Sequence, residues 1–230
     1  MSVDSNALKD LRLLEASDLS STTGRKTWNA ALVAKEYLQR RGDLSSLTVI
    51  DISSGNGYLA IALALIGTKR VYATECPNCI RLLEANLEEN FRDHPADPVA
   101  IEYSWGDCVS KICSKVALSD LHLVIFSDLL YITFRDAIEG LFEKTLLDLL
   151  PNGDSNTQGL FCYETRLTDR EQQFIDGFLS EHFVVNEIDC DKEHLLDACR
   201  ETEQGDVDCG ELSIFYQPPP VRLLLLKRKA

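Results

Sequence analysis

The most constraining stretch of this chain is an abrupt switch at residue 52. Residues 47–52, Leu-Thr-Val-Ile-Asp-Ile, are apolar and β-branched and read as a short strand. They stop at Ser53-Ser54-Gly55-Asn56-Gly57, and residues 58–66 follow as an alanine- and leucine-rich helix with Gly67 as its stop. Glycines two apart let the backbone turn sharply and let a ligand approach where a Cβ would collide. In an open α/β sheet this turn falls at the carboxyl end of the first strand, where such sheets bind ligands. A P-loop is excluded, because no Gly-Lys-Ser/Thr follows. The dinucleotide pattern G-x-G-x-x-G fits only in part, since position 60 is Ala60 and the first glycine is displaced. Asp51, near the strand end, is placed to meet a ligand ammonium group. Glu75, about 20 residues beyond the glycines, is placed to accept both hydroxyls of a ribose, the alternative being an ordinary solvated charge.

Strand and helix alternate along the rest of the chain. Helical spacing covers residues 5–16 and 28–38, and strands at 70–75 and 99–104 flank a helix at 78–90. A strand at 121–127 precedes a long helix at 134–150 closed by Pro151-Asn152-Gly153. Strands at 159–164 and 183–188 flank a helix at 168–181, and a last strand covers 221–227. Residues 212–216 are strand-like too, and spacing does not decide which run near the end joins the sheet. The expected fold is α/β: one doubly wound domain over residues 1–230, a mostly parallel seven-stranded sheet with helices on both faces. The last two strands lack a helix between them, so one antiparallel pairing is expected at an edge. Residues 1–23 form a short N-terminal extension.

A length of 230 residues suits a single core. With 45% apolar and 26% charged residues the composition is that of a globular chain. Its net charge of −14 excludes a general nucleic-acid binder and a protein that docks on anionic membranes. Residues 187–211 hold ten acids and two bases, the largest share of that charge. They read as a solvated acidic insertion; the alternative is a surface that docks a lysine-rich substrate. The N-terminus is polar, with no signal-peptide core, and the longest apolar run, 58–66, is far short of the ~20 residues that span a bilayer. Eight cysteines in such a chain are expected to be reduced, which places it in the cytoplasm. Cys76-Pro77-Asn78-Cys79 is one CxxC with no second pair and no histidine nearby, so no metal is expected.

The run Asp51 to Gly57 followed by Glu75 resembles motif I and the acidic loop of class I, seven-β-strand, S-adenosylmethionine-dependent methyltransferases. Three further stretches resemble the family 16 protein methyltransferases, which include many lysine methyltransferases. Residues 24–38 are similar to that family's tryptophan-bearing first helix, with Asn29 where proline is usual; Ser104-Trp105-Gly106-Asp107 resembles the tryptophan-glycine after the third strand; Ser127-Asp128-Leu129-Leu130-Tyr131 resembles its D-x-x-Y motif. Leu83 to Asn90 and Tyr163-Glu164-Thr165-Arg166 are weaker matches, and the likeness spans about residues 24–188. Two departures are Ser53, where motif I has its first glycine, and a segment before Gly24 shorter than the family's usual β-rich extension.

The resemblance implies a Rossmann-like methyltransferase fold that uses S-adenosylmethionine. Trp28, the turn with Ser53, Ser54, Gly55 and Gly57, and Glu75, Trp105 and Ser127 would line the cofactor pocket. Glu75 would hold the ribose, Trp105 with Asp107 the adenine end, and Asp51 with Trp28 the methionine end. Asp128 would orient a substrate amine and pass its proton to water, the alternative being that it caps the following turn. Tyr131 would wall the acceptor pocket. The expected activity is N-methylation of a lysine presented by a cytosolic protein, by an enzyme taken as monomeric by default. The alternatives are methylation of a small molecule or of another side chain, and a non-catalytic cofactor-binding or interaction protein.

Overall fold

The computed structural model describes residues 8, 11–14, 26–92, 98–152, 156–197, 199 and 220–229. β1 (Thr48–Ile52) forms where β-branched residues concentrate, and all five residues are buried. Such burial requires strands at both edges and cover on both faces. β2 (Arg70–Glu75) and β4 (Leu123–Ser127) flank it in parallel, so that Asp51 sits level with Ala73 and Ile125. β3 (Val99–Glu102) and β5 (Gln158–Glu164) add parallel strands outside these. With β6 (Phe183–Ile188) and β7 (Val221–Arg228) they make one seven-stranded sheet of order β3-β2-β1-β4-β5-β7-β6. β7 runs antiparallel to both neighbours, one place in from the edge, and β6 is the edge itself. The strand-like residues 212–216 lie outside the described residues.

Alternation along the strands divides the core into two layers. α1 (Asn29–Arg41), α2 (Tyr58–Leu65) and α3 (Ile80–Phe91) pack Leu32, Leu38, Leu63 and Leu83 onto Val49, Val71, Ile125 and Leu160. After the single turn α4 (Ser110–Cys113) and the short α5 (Leu130–Arg135), α6 (Glu139–Leu149) and α7 (Thr168–Phe174) cover the other face. There Phe142, Leu146 and Phe174 meet Ile50, Ile52, Phe126 and Phe161. Among the described residues no helix is long and apolar enough to cross a membrane.

Several elements differ from the sequence reading. The helix expected over 134–150 is two helices, because Ala137 takes a left-handed φ of 53° and Ile138 N–H returns to the Thr133 carbonyl at 3.0 Å. This is the wrapped end usually built on glycine, and here no glycine signals it. The helix expected over 168–181 is α7 continued by a π-turn (Ile175–Leu179) into one last turn, α8 (Ser180–His182). Residues 11–14 of the helix expected over 5–16 are not helical. Arg12 and Leu14 N–H donate to the Asn90 and Asn86 Oδ1 atoms at 3.0 and 2.6 Å, and their carbonyls accept from the same two amides. Two asparagines one turn apart on α3 thus satisfy backbone groups that a helix would pair internally. The rest of 5–16 lies outside the described residues. The acidic insertion is not wholly solvated, since Cys190, Leu195 and Cys199 are buried in the same core layer as α1.

Gly57 and Gly67 both have positive φ, 84° and 93°, but a Cβ on Gly57 would stand 2.7 Å from Leu83 Cδ1, whereas one on Gly67 would meet nothing within 4 Å. Gly67→Ala is expected to cost about 1–2 kcal/mol from φ alone, and Gly57→Ala at least about 1 kcal/mol more from overpacking. Urea denaturation measures both; equal losses would show that Leu83 yields freely.

Candidate functional site

The sheet order reverses between β1 and β4: the chain moves outward through β2 and β3, then returns to β4. The reversal opens a crevice at the carboxyl ends of these strands. A cavity of about 400 Å³ fills it, lined among others by Trp28, Asp51, Ser53, Ser54, Gly55, Glu75, Trp105, Ser127 and Asp128. Gly57 lies behind it, packed against Leu83. Tyr131 lines a smaller adjoining cavity of about 270 Å³ with Trp28, Asp128, Ile132 and Arg166. Trp28, Asp128 and Ile132 are therefore shared walls of both spaces.

The turn after β1 is stitched to β2. Ser53 N–H donates to Thr74 Oγ1 at 3.1 Å and Ser54 N–H to the Thr74 carbonyl at 2.9 Å. Ser53 adopts the left-handed conformation itself, φ 56°, and its hydroxyl accepts the Trp105 indole N–H at 2.9 Å. The hydroxyl that a glycine would lack therefore aims Trp105, whose ring packs on Phe142 at 4.7 Å. Asn56, not singled out from sequence, is buried and does three things. Its Oδ1 accepts the first N–H of α2, from Tyr58; its Nδ2 donates to Thr27 Oγ1 at 3.0 Å; its carbonyl accepts from Asn86 Nδ2 at 2.8 Å. An asparagine just before a helix was the available signal.

The charges fall into two contrasting groups. Asp51 is 1% exposed and neither carboxylate oxygen has a hydrogen-bond partner. Burial pushes its carboxyl up to about 7, with the Ser54 hydroxyl pulling down and the Glu75 charge pushing up. Glu75 is also buried, accepts the Cys76 N–H at 2.9 Å, and is raised by the same desolvation. Two buried carboxyl groups that pair with no cation among the described residues suit a ligand that carries an ammonium and hydroxyl donors.

Asp128 is the opposite case. It sits at φ 59° beyond β4, and its carboxylate takes both arms of the Arg166 guanidinium at 2.8 Å plus the Glu164 N–H at 3.1 Å. Arg166 also pairs with Glu164 at 2.6 Å. The guanidinium carbon lies 5.1 Å from the Trp28 ring centre and 5.5 Å from that of Tyr131. The Asp128 carboxylate thus pairs with Arg166 and accepts the Glu164 N–H, with no side-chain cap on the helix that follows it, and Arg166, given no role from sequence, is the hub of this corner. Asp107, expected at the adenine end, instead closes its own turn on Ser104 N–H at 3.1 Å and pairs with Lys111, outside the cavity lining.

This fold recurs in known methyltransferases. The chain matches the family model described as lysine methyltransferase over residues 6–181, and it belongs to that family. It is a class I methyltransferase, and its cofactor is S-adenosylmethionine. Among solved structures it is similar to a precorrin-6y C5,15-methyltransferase from Geobacter metallireducens, 16% identical, with 94% of each chain covered and a TM-score of 0.54. It is also similar to human methyltransferase 10 domain containing protein, 12% identical over 96% of this chain and 90% of that one, TM-score 0.53. A TehB-like SAM-dependent methyltransferase from Corynebacterium glutamicum is 11% identical over 90% of each chain, TM-score 0.52. A search of curated protein sequences returns no match. The unsatisfied carboxylate of Asp51 and the buried Glu75 give the cavity acceptors that fit the cofactor's ammonium and ribose.

The folded chain holds the Asp51 proton up to about pH 7, while the unfolded chain releases it near 3.8. Between these values the unfolded state binds fewer protons, so the ligand-free chain loses stability as pH rises through the window. Asp51→Asn removes this loss. The variant is expected to gain more stability over the parent near pH 8 than near pH 5, and to bind the cofactor at least about tenfold more weakly, as an ammonium partner worth about 1.5–3 kcal/mol disappears. Urea denaturation at the two pH values and calorimetry test this; parallel pH profiles would rule out a buried titrating carboxyl here.

Proposed function

We propose that this methyltransferase transfers its methyl group to the side-chain amine of a lysine in a cytosolic protein, acting as a monomer. The family to which the chain belongs supports the acceptor type. The observation that carries the reading is the cation that lines the smaller cavity: Arg166 lies over the faces of Trp28 and Tyr131 while its arms pair with Asp128. Aromatic faces beside a carboxylate make a cage for alkylated nitrogen, and this one shares a wall with the cofactor cavity. The cysteines at 76, 79, 108, 113, 162, 190 and 199 are all unbridged, which suits a reducing compartment.

In this reading S-adenosylmethionine supplies an electrophilic methyl group on a sulfonium. Glu75 holds the ribose, Asp51 and Trp28 the methionine end, and Trp105, aimed by Ser53, the adenine end, with Ser54, Gly55 and Ser127 shaping the walls. The nucleophile must be a neutral amine, yet a lysine with a pKa near 10.4 is neutral in only about one molecule in 10³ at pH 7. A naked Asp128 would favour the ammonium; its pairing with Arg166 offsets that preference. Among the described residues Asp128 Oδ2 accepts only from Arg166, which leaves a second lone pair to orient the amine N–H. Positioning of this kind supplies most of the acceleration in a displacement that needs little covalent work from the protein.

Methyl-tritiated cofactor added to extract from cells lacking this protein is expected to label a protein band whose hydrolysate contains methyl-lysine. Asp128→Ala should abolish that label. Tyr131→Ala should lower kcat/KM by about 2- to 30-fold, matching a cation–π contribution of about 0.5–2 kcal/mol, while Tyr131→Phe keeps most of it. Label confined to small molecules would transfer the enzyme to another substrate class, and absence of cofactor binding at millimolar concentration would make it a non-catalytic protein.

A further inference from the structure

The CxxC motif gains a third partner in the folded chain. Glu75 ends β2, Cys76 follows it, and a turn brings Cys79 back, with Cys79 N–H on the Cys76 carbonyl at 3.0 Å and Ile80 N–H on it at 2.9 Å. One carboxylate oxygen of Glu75 and the Sγ atoms of Cys76 and Cys79 all lie within 4.8 Å of one another. We infer that these three side chains form a binding site for a thiophilic divalent cation of the zinc type, and that the bound cation excludes S-adenosylmethionine.

Several observations converge on this site. Zinc holds sulfur at ~2.3 Å and carboxylate oxygen at ~2.0–2.2 Å, so tetrahedral ligands stand roughly 3.5–3.8 Å apart. The observed separations, all within 4.8 Å, exceed that spacing by about an ångström at most, a gap of the size that side-chain rotamers span. Two sulfurs and one oxygen match zinc's borderline-soft preference and disfavour magnesium and calcium. Glu75 is 6% exposed and, among the described residues, makes no ion pair. A divalent cation supplies the missing positive charge. The two sulfurs sit in the turn that leads directly into α3, a helix of 12 residues. Three protein ligands leave the fourth position to water, facing the cavity that Glu75, Cys76 and Cys79 all line.

The exclusion rests on the proposed role of Glu75 as the ribose acceptor: a cation that takes one carboxylate oxygen removes an acceptor from the pair that would hold the two ribose hydroxyls and places a charge where the ribose would sit. The chain would then respond to the zinc available to it, with high cation shutting the cofactor cavity and the cofactor protecting the thiols.

The test uses the full-length, metal-free chain titrated with cobalt(II), a spectroscopic substitute for zinc. The expected result is a thiolate-to-cobalt charge-transfer band at one equivalent, with the visible absorption of tetrahedral cobalt, bleached by one equivalent of zinc. Cys76→Ser, Cys79→Ser and Glu75→Gln, each checked for folding by circular dichroism, should each weaken zinc binding at least tenfold. Saturating S-adenosylhomocysteine should raise the apparent zinc Kd at least tenfold. No band, or a band unchanged by the serine variants, overturns the site. Zinc binding indifferent to S-adenosylhomocysteine overturns the exclusion. A metal-free chain that binds no S-adenosylmethionine overturns the functional reading and the exclusion together, while the cobalt spectrum still decides the site.

Discussion

The turn between β1 and α2 must hold three left-handed residues within five positions, Ser53, Gly55 and Gly57, and most of the site depends on that constraint. Two of the three are glycines, for which positive φ carries no Cβ penalty. The third is a serine, and its cost of about 1–2 kcal/mol is offset by the hydrogen bonds it makes to Thr74 and Trp105. From this one loop, Thr74 ties β2, Trp105 closes the roof, Thr27 positions the start of α1 and Asn86 links α3. A shift of the loop would therefore disturb the walls that Thr27, Glu75 and Trp105 contribute to the larger cavity.

Around that loop the acidic groups are treated unequally, and the inequality is chemically useful. Asp51 and Glu75 are buried with little compensation, Glu75 accepting the Cys76 N–H, so a ligand that brings donors or positive charge stabilises both. Asp128 is fully compensated by Arg166 and the Glu164 N–H, so its charge is local and oriented. The first pair makes a receptor for a cationic ligand. The second makes a rigid corner, stacked against Trp28 and Tyr131, that presents one acceptor lone pair without pulling strongly on an ammonium.

Much of this was readable in the chain. The strands at 48–52, 70–75 and 123–127 announce themselves because β-branched runs buried on both faces have few alternatives. The helix break at Ala137 did not, because a left-handed residue without glycine leaves no mark in the composition. Residues 11–14 carry helical spacing, yet their backbone is claimed by Asn86 and Asn90, more than 70 residues away. At the site, cavity-lining residues from Trp28 to Ser127 lie next to recognisable turns and were found there. Arg166 was missed as a site residue because its importance comes from reaching Asp128 across the ends of the adjacent strands β4 and β5, a neighbourhood that sequence distance hides.

The sequence by itself determined the alternation of strand and helix, the position of the ligand turn and the presence of acids at strand ends, since these follow from local side-chain chemistry and backbone freedom. Tertiary structure alone decided which acids are left without partners and which are neutralised. It also placed the antiparallel β7 between β5 and β6, and drew Glu75 to the two thiols beside it. The physical reason is that desolvation and pairing depend on distances across the sheet, and those distances exist only once the strands have found their order.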